Sequence, residues 1–275
     1  MPKESFEQFI KRQKEKLDKA EKMVEEVKEE WKEEIERFVE KSVKELKKLW
    51  EENEEEAAEK EWHKEAFSFF LSLPLPEIPP FFLERICNKF LQEFDRKKLQ
   101  RIGIRSNVGL FLSAFLKKNI ENYISSQKKK GIKEEKIKPI EVHLDVKELP
   151  VRLSFLGYQN PQKLHLRVEG NLGHNTGAEM EGGEIIVEGN CEALTGETMK
   201  GGKIVVKGNC SSHAGSGMEG GVLILEGEVG AFDKFTFSPD NKGTIIWKGI
   251  KIWENGNWTE EGKEMYEKKK IPGVE

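Results

Sequence analysis

Gly170, Gly189, Gly208 and Gly227 recur with a period of 19, as do Met180, Met199 and Met218 and the pairs Gly182–Gly183, Gly201–Gly202 and Gly220–Gly221. A fixed period of this size means that each unit is one supersecondary turn unable to bury its own apolar face, whereas stacked units bury a continuous one. Within each unit, Leu166, Ile185, Ile204 and Leu223 share one column, and Val168, Val187, Val206 and Leu225 share a second, two positions on. That alternation is the signature of a strand. One period holds two or three short strands and tight corners, but not a βαβ unit of about 30 residues. The repeat therefore predicts a parallel, right-handed β-helix with one rung per repeat, adjacent rungs stacking at about 4.8 Å.

The other columns agree with stacking. Asn171, Asn190 and Asn209 each follow a repeat glycine, where a left-handed backbone and a ladder of stacked amides are expected. Leu172, Cys191, Cys210 and Val229 form an apolar column. Glu188, Lys207 and Glu226 alternate in sign, as do Glu184 and Lys203, which reads as a solvated sheet face. A last, distorted rung puts Phe237 in the Met place, gains three residues, and resumes the pattern at Gly243, Ile245, Trp247 and Gly249.

The strings GAEMEGGEIIVEGN, GETMKGGKIVVKGN and GSGMEGGVLILEG resemble the glycine-rich β-helix repeat of glutamate synthase large subunits and of the β-helical subunit of formylmethanofuran dehydrogenases. The resemblance covers residues 163–230 and, more loosely, continues to 250. It implies a structural and subunit-contact module, because in those enzymes the active centres lie in other domains or chains.

The N-terminal half reads differently. Residues 4–60 contain neither Gly nor Pro and are dense in Glu and Lys. Ile10, Leu17, Val24 and Trp31 are spaced by seven, a coiled-coil-like seam that shifts register to Ile35, Phe38, Val39, Val43, Leu46 and Trp50. Amphipathic helices are expected near 81–101 and 107–127, with an apolar segment from Ala66 to Leu73 stopped by prolines. Ile140, Val142, Leu144 and Val146 alternate as a strand, and Leu153 and Phe155 are assigned to another. The expected fold is α+β in two domains: a helical domain over 1–138, and a β-helix over 139–275 with a short C-terminal cap.

Charge is uneven. Residues 1–65 carry 16 basic and 22 acidic side chains, residues 66–140 carry 15 and 7, and residues 141–275 carry 15 and 21. The basic middle reads as a solvated helix face or a match to the acidic first helix, with nucleic acid disfavoured for want of any recognised motif. No apolar run is long enough for a membrane span and no signal-peptide pattern is present, so a cytoplasmic location is expected. Cys87, Cys191 and Cys210 form no CxxC pair.

Candidates for chemistry are few. Gly215–Gly220 spells GxGxxG, but its outer glycines are repeat positions, and a dinucleotide site needs a strand before it and a helix after. His174 and His213 sit in the variable stretch of their rungs, where they read as surface corner residues, with a general base or ligand as the alternative. They occupy different columns, so no shared metal is expected, nor any cofactor. Ile186, Val205 and Ile224 form an outward aliphatic column, edged by Arg167, that is expected to be covered by the helical domain or by a second copy. With Trp31 they are the candidate interaction residues. The sequence thus points to a non-catalytic structural or assembly protein with a protein partner or homo-oligomer. The resemblance adds the alternative of an accessory subunit of an oxidoreductase complex.

Overall fold

The computed structural model describes residues 29–59, 63–94 and 104–274. Its N-terminal part contains helices α1 (Glu29–Ala58), α2 (His63–Ser72), α3 (Pro80–Gln92) and α4 (Ile104–Lys129). Pro79 and Pro80 open α3, where the missing N–H is harmless and the fixed φ suits a first turn. The shifted register of the first helix is its buried face: Ile35, Val39, Val43, Leu46 and Trp50 are all buried. Trp50 packs against Phe70 of α2, Phe94, and Phe111 of α4, with ring centroids 5.5–6.0 Å apart. The described part of the first helix thus folds back on the later helices. The heptad residues Ile10, Leu17 and Val24 lie outside the described residues, and so does the side chain of Trp31.

The C-terminal part is a β-solenoid. Strands β1 (Ile140–Asp145), β2 (Leu164–Glu169), β3 (Glu184–Val187), β4 (Lys203–Val206), β6 (Val222–Leu225) and β8 (Thr244–Trp247) form one parallel ladder in that order. Register from β2 to β6 advances by 19: Leu166 pairs with Ile185, Ile185 with Ile204, and Ile204 with Leu223. A second ladder, β5 (Cys210–Ser212) with β7 (Val229–Ala231), continues through bridges joining Leu172, Cys191 and Cys210, which is the predicted apolar column.

The methionines explain the glycine pairs. Met180, Met199 and Met218 are fully buried. A Cβ on Gly202 would lie 2.7 Å from Met180 Cε, one on Gly221 would lie 2.5 Å from Met199 Cε, and one on Gly243 would meet Met218 Cε at 2.4 Å. Each methionine therefore fills the space left by a missing side chain on the next rung. Gly202 and Gly221 also have φ near +80°, which other residues avoid. In the last rung Phe237 takes over from Met and stacks on Trp258 at 4.2 Å, inside an aromatic cap.

Some expectations change. Asn171, Asn190 and Asn209 are not left-handed. Each Oδ1 instead accepts the backbone N–H of the next rung, at Asn190, Asn209 and Glu228, over 2.7–2.8 Å. The left-handed non-glycine positions lie elsewhere, in one column at Asn175, Leu194 and His213 and in a second at Glu179 and Thr198. Nor does Gly208 serve a left-handed corner: a Cβ there would lie 2.6 Å from the Gly189 carbonyl oxygen, so close approach between rungs demands glycine. Leu153 and Phe155 are not in a strand; they lie in the first corner, where Phe155 has φ +59°. The GxGxxG segment leads from a corner into β6 with no helix after it, so it lacks the frame a dinucleotide site requires.

Both ends of the ladder are closed. At the far end β9 (Ile250–Glu254) returns antiparallel on β8, followed by β10 (Asn257–Trp258) and helix α5 (Glu260–Glu267). At the near end helix α3 covers the free edge of β1. Asn88 Nδ2 donates to the His143 carbonyl at 2.7 Å, and its Oδ1 accepts the Asp145 N–H at 2.9 Å. Glu84 accepts the His143 N–H at 3.0 Å. The Asn88 amide bonds residues i and i+2 as the peptide group of a neighbouring strand would, which satisfies an edge that otherwise invites pairing. Buried apolar residues from Ile35 to Ile271 form one continuous cluster across the helices and the solenoid.

Candidate functional site

Three places on the molecule concentrate polar chemistry or unpartnered apolar surface. The first is the seam where the helices meet the first rungs. Gly109 of α4 admits the Ser154 carbonyl so closely that a Cβ would sit 1.9 Å from it. Ser113 accepts the Gly157 N–H at 2.9 Å. Lys117, almost fully buried, pairs with Glu181 at 2.6 Å. At the start of α2, His63 stacks on Phe155 at 4.8 Å and meets Tyr158 edge-on, while Lys64 pairs with Glu179 at 2.8 Å. Burial among these rings depresses the His63 pKa. Burial alone would raise Glu179, but Lys64, through its hydrogen bond and its charge, together with Tyr158 and Gln159, outweighs it and holds the carboxyl low. One rung on, burial raises Glu197, helped by its acidic neighbours Glu179 and Asp233, although Asn175 donates to it at 2.6 Å. Two carboxyls pushed in opposite directions can signal acid–base work. Here the first is engaged by Lys64 and the second by Asn175, and both bonds tie the seam together.

The second place is the variable corner with the two histidines. The structure does not bring them together. His174 Nε2 lies 3.0 Å from Glu192, which Arg152 also approaches. His213 Nδ1 lies 3.0 Å from Asp233 Oδ2, and Ser216 donates to the same oxygen at 3.0 Å. Burial pushes Asp233 up, but hydrogen bonds from Thr236, Ser216 and His213 prevail and hold it low. The carboxylate favours the tautomer with the proton on Nδ1. The serine bonds the aspartate rather than the imidazole, so it is not set up as a nucleophile. Among the described residues no group of three or more His, Cys, Asp or Glu is placed to hold a metal. Cys191 touches Cys210, and that contact together with burial raises its pKa far above the usual thiol range, which makes it a poor nucleophile. A hollow of about 150 Å³ beside Pro79, Pro80, Asn119 and Tyr123 is smaller than the roughly 300–1,000 Å³ of small-molecule sites.

The third place is the outward face of the sheet. Ile186, Val205, Ile224 and Ile246 stand in register on β3, β4, β6 and β8. Val205 is 7% exposed and the other three are half-buried, yet none belongs to the continuous core. Of the four N-terminal helices, α3 is the one packed on the sheet, and it sits at β1. The column is flanked by Lys203–Glu184 at 2.7 Å, Lys207–Glu188 at 2.9 Å, and the Arg167–Glu188 pair. These ion pairs border a column in which Val205 is buried while Ile186, Ile224 and Ile246 keep part of their surface open.

No family model matches the chain, and no curated protein or solved structure does either. Sequence reasoning missed Asn88 and Glu84, whose edge contacts join α3 to β1 across a long stretch of chain with no periodic signal. It missed Lys64 and Glu179 for the same reason. Asp233 escaped because it ends the variable corner stretch of its rung, where the residues differ from rung to rung and nothing recurs to mark it.

Proposed function

We propose that this chain is a non-catalytic structural or assembly protein that presents a rigid β-solenoid face to a protein partner or to another copy of itself. The observation that supports this reading is the registered aliphatic column Ile186–Val205–Ile224–Ile246, which stands outside the core on a ladder closed at both ends. Strands apolar on both faces are ordinarily covered on both. Closed ends leave the sheet faces as the surface available for association. The accessory-subunit role implied by the glycine-rich repeat is one form of the same reading, and a cytoplasmic setting accords with the free thiols Cys87, Cys191 and Cys210. No helix among the described residues is long and apolar enough to cross a membrane.

The test is an affinity capture from native cells with wild-type and Val205→Glu baits. A protein retained by the first and lost by the second supports the docking face. Identical recovery by both baits, with both folded, counts against it.

A further inference from the structure

We propose that the occupant of the aliphatic column is a second copy of this chain, joined face to face by a two-fold axis running parallel to the strands between β4 and β6. The inference rests on the column being a docking surface and specifies what docks there. Under that rotation, position along the strand is kept and rung order is reversed. Val205 then faces Ile224 of the other copy, and Ile186 faces Ile246, so all four aliphatic side chains are matched. The flanking column follows suit next to the axis, with Lys207 opposite Glu226; the turn residue Lys248, with φ +51°, is held by Glu228 of its own chain and takes no part. Glu226 is exposed and has no ion-pair partner among the described residues, so the second copy supplies one. An isologous interface repeats every such contact twice. At the outer rim Arg167 comes opposite Lys251, which Glu254 neutralises at 2.8 Å.

The competing two-fold axis runs along the stack of rungs. It would set Glu184 against Glu188 and Lys203 against Lys207, like charge against like. The alternation of sign from rung to rung therefore selects one dimer over the other. The matched patch is small. Four strands at about 4.8 Å and five residues at about 3.3 Å give on the order of 300 Å² per copy, well under the roughly 800 Å² per partner of a stable complex. The dimer is accordingly a weak one, with a dissociation constant on the order of 10 µM or higher.

Sedimentation velocity from about 1 to 300 µM spans that range, with circular dichroism to confirm that each variant is folded. Wild type should self-associate. Val205→Glu should abolish association. Lys207→Glu and Glu226→Lys should each weaken it by about tenfold, and the double exchange should recover most of the loss, because the facing pair is restored with its signs swapped. Three results would overturn the proposal: a wild type monomeric at every concentration, association untouched by Val205→Glu, or no recovery in the double exchange. If wild type is monomeric but captures a different protein through Val205, the docking face stands and the second copy falls.

Discussion

Replacing Asn88 should unfasten the first edge of the solenoid. Its amide makes two hydrogen bonds to β1, at 2.7 and 2.9 Å, one of them partly buried and one exposed. A neutral hydrogen bond contributes about 0.5–1.5 kcal/mol net, and water will partly replace the exposed one. Asn88→Ala should therefore cost about 1–3 kcal/mol, which for a chain of this size corresponds to roughly 3–8 °C in melting temperature. Asn88→Asp is the sharper variant. It keeps the acceptor for Asp145 N–H but sets a carboxylate oxygen against the His143 carbonyl, so it should be at least as destabilising although nearly isosteric. Thermal melts give the magnitude, and amide exchange locates it, with the Asp145 amide losing protection while amides of β4 keep theirs. If Asn88→Ala melts indistinguishably from wild type and Asp145 stays protected, the clasp is ornamental and the reasoning fails.

Further outcomes are expected. Met199→Ala should cost about 2–5 kcal/mol in denaturant unfolding, because the cavity beneath Gly221 cannot collapse without moving backbone; an unchanged midpoint would show that the interior repacks freely. Gly208→Val should destabilise by more than the mean substitution, since its Cβ would press on the Gly189 carbonyl and the Asn190 side chain, and a soluble variant melting like wild type would refute the close-approach argument. His63 has a folded pKa below its ordinary 6.5, so between the two values the unfolded chain binds a proton that the folded one refuses. Its contribution is present above 6.5 and lost as pH falls through the folded value. Melting temperature measured from mildly alkaline to mildly acidic pH should therefore decline less in His63→Phe than in wild type, and parallel curves would remove His63 from the seam's energetics.

What the sequence made legible was whatever repeats. The columns Ile185–Ile204–Leu223 and Met180–Met199–Met218 can be read off by counting, because stacking forces one environment to recur once per rung. Even so, the physical reasons differed at single positions. Asn190 earns its place through a side-chain acceptor rather than a left-handed backbone, and Gly208 through a tight passage rather than a positive φ. Contacts that occur once leave no such trace. Strand β1 was visible as an alternation, but its Ile140 pairs with Leu164, a longer step than the repeat period, so it did not align with the later rungs. Lys64 with Glu179 and Asn88 with Asp145 are single meetings of distant segments, and composition in a chain rich in Lys and Glu conceals them. Of the candidate residues, His174 and His213 proved to be anchored in separate acid pairs, while the aliphatic column was placed in the register the period implied.

The interlock of methionine and glycine makes the solenoid's length countable in whole units. Because Met180 reaches Gly202 and Met199 reaches Gly221, each rung is keyed to the next through its interior as well as joined to it through its strands. A deletion that removes one complete period leaves every key with a lock, whereas one shorter by a single residue leaves one rung with a surplus residue that turns a strand to the wrong face unless a corner absorbs it. Insertions have a different tolerance. The last rung carries three extra residues between β6 and β8 while Met218 still meets Gly243, so the corner around Ser238–Asp240 takes up slack that the strands refuse. Duplication of whole rungs and growth at that corner are therefore the two routes by which such a chain can change size without losing its core.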